Sequence, residues 1–235
     1  MEVNLEIILK VIKLSAQIIL ENGGETYRAE ETIKFICKAY HMDEVEAIAT
    51  PTGFYITISD DGKNISTIVK RIRKRSINLK KINDVNNISR KLSSHSISLE
   101  DALADLEKII NDTSMEFKHS SLYSGISSAF FTVLFGGSIF EFFISLFTGI
   151  LVSFINRKFE DLHSYQFFYS IVYGGIIALI AVAVTSAVGI GNYKHVIVGG
   201  FMPLLPGLSM TNAIRDTIRG DLLSGIARAK EALII

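Results

Sequence analysis

Tryptophan is absent, and cysteine occurs once, at Cys37. A single thiol excludes an intrachain disulfide and a cysteine-based metal site, and it favours a reducing setting for the part of the chain that holds it. No phosphate-cradling glycine loop is present, so an ATP-driven pump is not supported. The first twenty residues carry Glu2, Glu6, Lys10 and Lys13 among their apolar side chains and lack the clean apolar core of a secretory signal. Net charge is zero, which removes any global argument for a nucleic-acid partner, and the cluster Lys70, Arg71, Arg73, Lys74 and Arg75 reads as a solvated strand end. Charge itself is scarce in the second half: 17 of the 24 Lys and Arg and 18 of the 24 Asp and Glu precede Leu122. The first half is built for water and the second is not.

Within the first half the hydrophobic period changes in a readable way. Leu5, Ile8, Ile12 and Ile19 mark an amphipathic helix over 5–20, stopped by Asn22-Gly23-Gly24. A second helix starts near Glu25, with Ile33, Ile36, Cys37 and Tyr40 on one stripe. From Glu44 the period becomes two. Val45, Ala47 and Ala49, then Phe54, Ile56 and Ile58 after a Pro51-Thr52-Gly53 turn, predict a hairpin, and Asp60-Asp61-Gly62 leads into a third strand over 65–73. Residues 79–118 return to helix, with Ser98 as an N-cap and Leu99, Ala102, Leu103, Leu106 and Ile110 as its stripe. The expectation is a soluble α+β domain over 1–118.

Residues 119–235 predict an α-helical bundle of four to five transmembrane helices. Spans are expected over 122–140, 142–155, 167–188 and 196–214, with a fifth candidate over 220–235 that carries Arg228, Lys230 and Glu231. Gly174, Ala178, Ala183 and Ala187 supply small side chains for close helix packing. Lys118, Arg157, Lys158, Arg215 and Arg219 fall on one side and Lys194 on the other, so the basic side, with the N-terminal domain and the 156–163 loop, is expected to be cytoplasmic. Tyr123, Tyr165, Tyr169 and Tyr193 would have to serve as interface anchors.

The candidate solute or ion pathway lies where the last apolar stretch is interrupted. In Gly199-Gly200-Phe201-Met202-Pro203-Leu204-Leu205-Pro206-Gly207, Pro203 and Pro206 lack an N–H and would free the carbonyls of Gly199 and Met202. Such breaks persist in lipid only where protein or a wet cavity satisfies them; a plain packed kink is the alternative. Asn212, Arg215, Asp216 and Arg219 follow, with Asp216 and Arg219 able to pair at i+3, as a pathway mouth or as an ordinary interfacial charge pair. Glu141, between two apolar runs, is a candidate proton-coupling group or a loop residue if its turn reaches water. Glu25, Arg28, Glu30, Glu31, His41 and His95 supply acid–base types in the first half, without a spacing that pairs a nucleophile with a base. No cofactor or metal is implied.

The run Asn22-Gly23-Gly24-Glu25-Thr26-Tyr27-Arg28-Ala29-Glu30-Glu31-Thr32, with Val45-Glu46-Ala47 and Thr50-Pro51-Thr52-Gly53, resembles the soluble region of the threonine/serine exporter (ThrE) family. Pro203-Leu204-Leu205-Pro206-Gly207, with Ala213, Asp216, Gly220-Asp221, Ser224-Gly225 and Ala227-Arg228, resembles the membrane region of the same family. The resemblance implies an exporter of small polar metabolites in the cell membrane, driven by the proton motive force, with Gly24, Tyr27, Arg28 and Glu30 as motif residues of the N-terminal domain. It further implies that a YjjP-like chain such as this one works with a separate small multi-span YjjB-like subunit, that the solute is a threonine- or serine-like amino acid or a succinate-like dicarboxylate, and that the chain is not an enzyme. Two other classes compete: a hydrolase or sensor anchored by the spans, and a scaffold for the true permease. A homo-oligomer is compatible with each.

Overall fold

A computed structural model of the chain describes residues 5–42, 44–60, 64–112, 120–159 and 166–234. The turn at Asp61-Gly62, Lys118, residues 160–163 of the 156–163 loop and Tyr165 lie outside the described residues. The chain divides into two compact units, one of 1–113 with 207–233 and one of 114–206 with 234–235. The last two helices, grouped by sequence with the membrane segments, thus pack within the first unit.

The first unit follows its sequence pattern closely. Helices α1 (Leu5–Glu21) and α2 (Thr26–Ala39) precede strands β1 (Val45–Thr50), β2 (Gly53–Asp60) and β3 (Asn64–Arg71), and α3 (Leu79–Ser93) and α4 (Leu99–Asn111) follow. The sheet is antiparallel in the order β1-β2-β3, with Ala47 opposite Ile56 and Ile56 opposite Ile68. Alternation puts Ala47, Ala49, Phe54, Ile56 and Ile58 into one core with Ile8, Ile12, Ile19, Ile33, Ile36, Leu92 and Leu106. Burial in that core pushes the Cys37 thiol up to about 12, so it is an inert core atom. The helical stretch expected over 79–118 forms two helices within its described part, ended at His95 with φ +51 and restarted at the expected cap Ser98, which accepts from Asp101 N–H at 3.0 Å.

The second unit holds α5 (Ser120–Leu134), α6 (Ile139–Phe159), α7 (Gln166–Val188), α8 (Tyr193–Phe201) and a 3-10 turn over Met202–Leu204. Beyond it, in the first unit, come α9 (Gly207–Ile218) and α10 (Leu222–Ile234). Gly125 and Gly149 let α5 and α6 touch: a β-carbon at Gly125 would stand 2.5 Å from Leu146 O, and one at Gly149 would stand 2.9 Å from the Gly125 Cα.

Among the described residues the expected four to five spans become two, or up to three. Helices α6 (over Ile139–Asn156) and α7 (over Phe168–Val188) are long and apolar enough to cross a membrane, while Tyr193–Leu204 and Gly207–Ile218 qualify only when counted together across Leu205 and Pro206. The expected span over 122–140 is cut short because α5 ends in a Schellman motif: Gly136 has φ +93, its N–H bonds Val133 O at 2.9 Å, and Gly137 N–H bonds Thr132 O at 2.9 Å. The 15 residues left reach only about 22 Å. The 13 residues of α10 are shorter still. The small-residue stripe on α7 is also displaced, since its buried face is Tyr173, Ile177, Ala181 and Thr185, while Ala183 and Ala187 are exposed. Hydropathy counted apolar residues correctly but did not see where hydrogen bonding stops each helix.

Candidate functional site

Helices α9 and α10 form a hairpin closed by another Schellman motif, with Gly220 at φ +90 and Asp221 N–H bonding Asp216 O at 2.9 Å. Residues four apart share a helix face. Asn212 and Asp216 therefore project together from α9, and Ser224 and Arg228 from α10, and all four are buried. Their partners lie in the loop after α1. Asn212 Nδ2 donates to Gly23 O at 2.9 Å, and Arg228 donates to Gly24 O at 2.6 Å and to Asp216 Oδ2 at 3.0 Å. Gly24 has no room for a side chain, since a β-carbon there would stand 2.8 Å from Ile19 O.

Around this centre the helix-2 motif closes a ring of charge. Glu25 accepts from Arg215 at 2.6 Å and pairs with Arg28 at 3.0 Å. Burial pushes the Glu25 carboxyl up, but its hydrogen bonds and the two guanidinium groups outweigh that and hold it below its ordinary range. Thr26 Oγ1 donates to Asp221 Oδ2 at 2.8 Å. Arg219 pairs with Glu31 at 3.0 Å and lies 3.7 Å over the Tyr27 ring. Glu30 accepts from Ala49 N–H at 2.7 Å, and burial holds its carboxyl above the ordinary range despite that bond. Three buried oxygens in this region have no hydrogen-bond partner: Asn212 Oδ1, Asp216 Oδ1 and Ser224 Oγ.

The structure thus brings Gly24, Tyr27 and Arg28 together with Asn212, Arg215, Asp216 and Arg219. Asp216 pairs with Arg228 and not with Arg219, the partner that i+3 spacing suggested. Spacing weighed Arg228 only as a charge spoiling a weak span; its partner role needed the hairpin. The carbonyls freed by the prolines also find donors locally. Gly199 O accepts from Met202 N–H, and Met202 O from Leu205 N–H at 3.3 Å, so the break around exposed Pro203, half-buried Pro206 and exposed Gly207 is a tightened 3-10 turn.

Glu141 belongs to the second unit and is 3% exposed, not a loop residue in water. It sits at the third position of α6, where its carboxylate reaches back to Ser138 N–H as in a capping box. The same carboxylate accepts from Asn192 N–H and faces His195 Nδ1 at 3.3 Å, tying the start of α6 to the start of α8. Beside it runs a row of buried hydroxyls, with Thr132 donating to Ser145 Oγ at 2.6 Å or to Ser128 O at 2.9 Å. Gly199 packs against this row: a β-carbon there would stand 1.9 Å from Thr132 Oγ1.

His41 and His95, the histidines considered for hydrolysis, have a structural role. Each has positive φ (59 and 51) at the end of a helix, and in both cases the next residue's N–H closes a Schellman bond, Met42 to Cys37 O at 3.0 Å and Ser96 to Lys91 O at 2.9 Å. A left-handed conformation costs an L-residue roughly 1–2 kcal/mol. His95→Gly is therefore expected to raise stability by about 1 kcal/mol, read as a higher unfolding midpoint of the purified protein. Among the described residues no group of three or more His, Cys, Asp or Glu is placed to hold a metal ion.

Residues 10–235 match the profile of the ThrE family, described as "Putative threonine/serine exporter". The chain is also similar to a "Probable threonine/serine exporter" of Mycobacterium tuberculosis (strain ATCC 25618 / H37Rv), 20% identical over 234 residues that cover 96% of this chain and 44% of that protein. It thus spans less than half the length of this relative. No solved structure matches. With nearly every element described above inside the matched range, the chain belongs to the ThrE family.

Proposed function

We propose that the chain is one subunit of a proton-motive-force-driven exporter of small polar metabolites, either threonine- or serine-like amino acids or succinate-like dicarboxylates. ThrE-family proteins are transporters and not catalysts. In this reading the chain sits in the cell membrane with the domain formed from 5–112 on the cytoplasmic side. The observation that carries the proposal is the family match over 10–235 in a chain with two helices long and apolar enough to cross a bilayer. In this reading the chain works with a companion of the YjjB-like kind.

The two buried carboxylates are differently suited to carrying a proton. Both Glu141 oxygens already face donors from Ser138, Asn192 and His195, which favours a structural role at the start of α6. Asp216 holds Arg228 with one oxygen while the other has no partner, and a proton on that free oxygen would weaken its grip on Arg228. Asp216 is therefore the favoured coupling residue, with Asn212 and Arg215 on the same helix and Arg219 just past its end.

Vesicles containing this chain and its companion are expected to move labelled threonine or succinate several-fold faster under an imposed pH gradient, and Asp216→Asn is expected to abolish that acceleration. Equal rates with and without the gradient for both solutes would overturn the proposal.

A further inference from the structure

The α9–α10 hairpin carries two opposed faces. Its inner face is the polar one described above, fixed to residues 23–31 by Asn212, Arg215, Arg219 and Arg228. Its outer face is apolar: Met210, Ile214 and Ile218 recur at four-residue spacing on α9, and Leu222, Leu223, Ile226 and Leu233 line α10, each between 47% and 79% exposed. Lys230, four residues after Ile226 and three before Leu233, stands exposed on that same face. A water-soluble surface rarely leaves so many aliphatic side chains together.

Neither helix can hide this face by crossing a bilayer. The 12 residues of α9 and 13 of α10 give about 18–20 Å each, against roughly 30 Å of hydrocarbon. Joining α8 to α9 reaches the length, but it would carry the polar face of α9 into lipid. That face holds ion pairs to α2, whose own surface bears Glu31, Lys34 and Lys38, and a helix so charged is not at home in hydrocarbon.

We infer that α9 and α10 lie flat in the membrane–water boundary, with Met210, Ile214, Ile218, Leu222, Leu223, Ile226 and Leu233 in the outer acyl region and the polar face turned to the protein. The occupant of the exposed face is lipid. Three observations select it over another protein. Apart from Lys230 the face is aliphatic or methionine, without the Trp, Tyr and Arg anchors that concentrate binding energy in protein interfaces. The same chain supplies two helices fit to cross a bilayer, so a membrane is at hand. The amphipathic division, with a lysine among the apolar side chains whose long stem can carry its amine up to the headgroups, is the pattern of an interfacial helix. The inference holds whatever solute is carried.

The absence of tryptophan makes the test direct. The full chain carrying Ile226→Trp, and separately Leu223→Trp and Ile214→Trp, is reconstituted in phosphatidylcholine–phosphatidylglycerol vesicles whose acyl chains are brominated either near the headgroup or near the terminal methyl. These positions are exposed, so each variant is expected to elute and melt like the parent. Expected is indole quenching by shallow bromine about twofold stronger than by deep bromine, as an apolar face roughly 5–10 Å below the headgroups requires. Stronger quenching by deep bromine in any of the three would mean a crossing helix and overturn the inference. No quenching by either lipid would mean that protein or water covers the face, and would overturn it equally.

Discussion

Replacing Arg228 by alanine is expected to lower stability by about 3–5 kcal/mol, a large share of the roughly 5–15 kcal/mol that holds a domain folded. The guanidinium bridges two groups that water does not reach. Its side chain is 7% exposed and that of Asp216 is 0% exposed, and the truncation strands both the Asp216 carboxylate and the Gly24 carbonyl. Most of the loss is the penalty for a buried charge left alone, which gives the prediction a second arm. Joining Arg228→Met to Asp216→Leu removes both charges and should recover much of what Arg228→Ala loses. Arg228→Lys should fail, because an ammonium on a flexible stem does not reproduce a planar fork aimed at two acceptors. Lys230→Ala, two residues away and exposed, serves as the control and should change stability by no more than about 0.5 kcal/mol. The measurement is the unfolding midpoint in detergent, and an Arg228→Ala midpoint equal to that of Lys230→Ala would show that the pair is not buried.

A side chain at Gly199 is the second large effect. The nearest atoms to its missing β-carbon are Thr132 Oγ1 at 1.9 Å, Ser128 O at 2.7 Å and Thr132 N at 2.8 Å. Two of these are backbone atoms of α5, which cannot swing aside as the end of a side chain could. Gly199→Val must therefore push α8 away from α5 and break the Thr132–Ser145 hydrogen bond or its neighbours. Overpacking in a tight core costs typically 1–3 kcal/mol, and a clash with backbone belongs at or above the top of that range. Gly175→Ala is the contrasting change. It sits inside α7 with nothing within 4 Å of its β-carbon, so alanine should be neutral or stabilise by up to about 1 kcal/mol through helix propensity. Purified yield and melting temperature should therefore fall for Gly199→Val and hold for Gly175→Ala. Equal behaviour of the two variants would refute the close approach of α5 and α8.

The residues that could be read from sequence are those whose environment is fixed by near neighbours. The strand alternation of Ala47, Ala49, Phe54, Ile56 and Ile58 had one consistent core face, and Ser98 announced its cap three residues ahead of the donor it binds. What could not be read was fixed by distant parts of the chain. Asp216 had Arg219 within helical reach, and nothing local favours Arg228 until the turn at Gly220 folds α10 back. The carbonyls expected to lie open at Pro203 and Pro206 were closed by 3-10 bonds, a rearrangement that residue types alone do not reveal. Counting spans failed for a related reason: Gly136 and Gly137 look permissive in a membrane helix, yet here the positive φ of Gly136 ends one. The family resemblance named the right segments, Gly23 to Glu31 and Asp216 to Arg228, without saying that they touch.

That contact also sets an order of events during synthesis. Gly24 leaves the ribosome 204 residues before the arginine that caps its carbonyl, and Thr26 leaves 195 residues before its aspartate. Throughout that interval the nascent first unit has an unfinished polar surface, and the long apolar helices α6 and α7 are made before it can be completed. Synthesis stalled or cut between 113 and 207 should thus release a fragment with its apolar strands folded but its glycine loop unclamped, a substrate for cellular proteases.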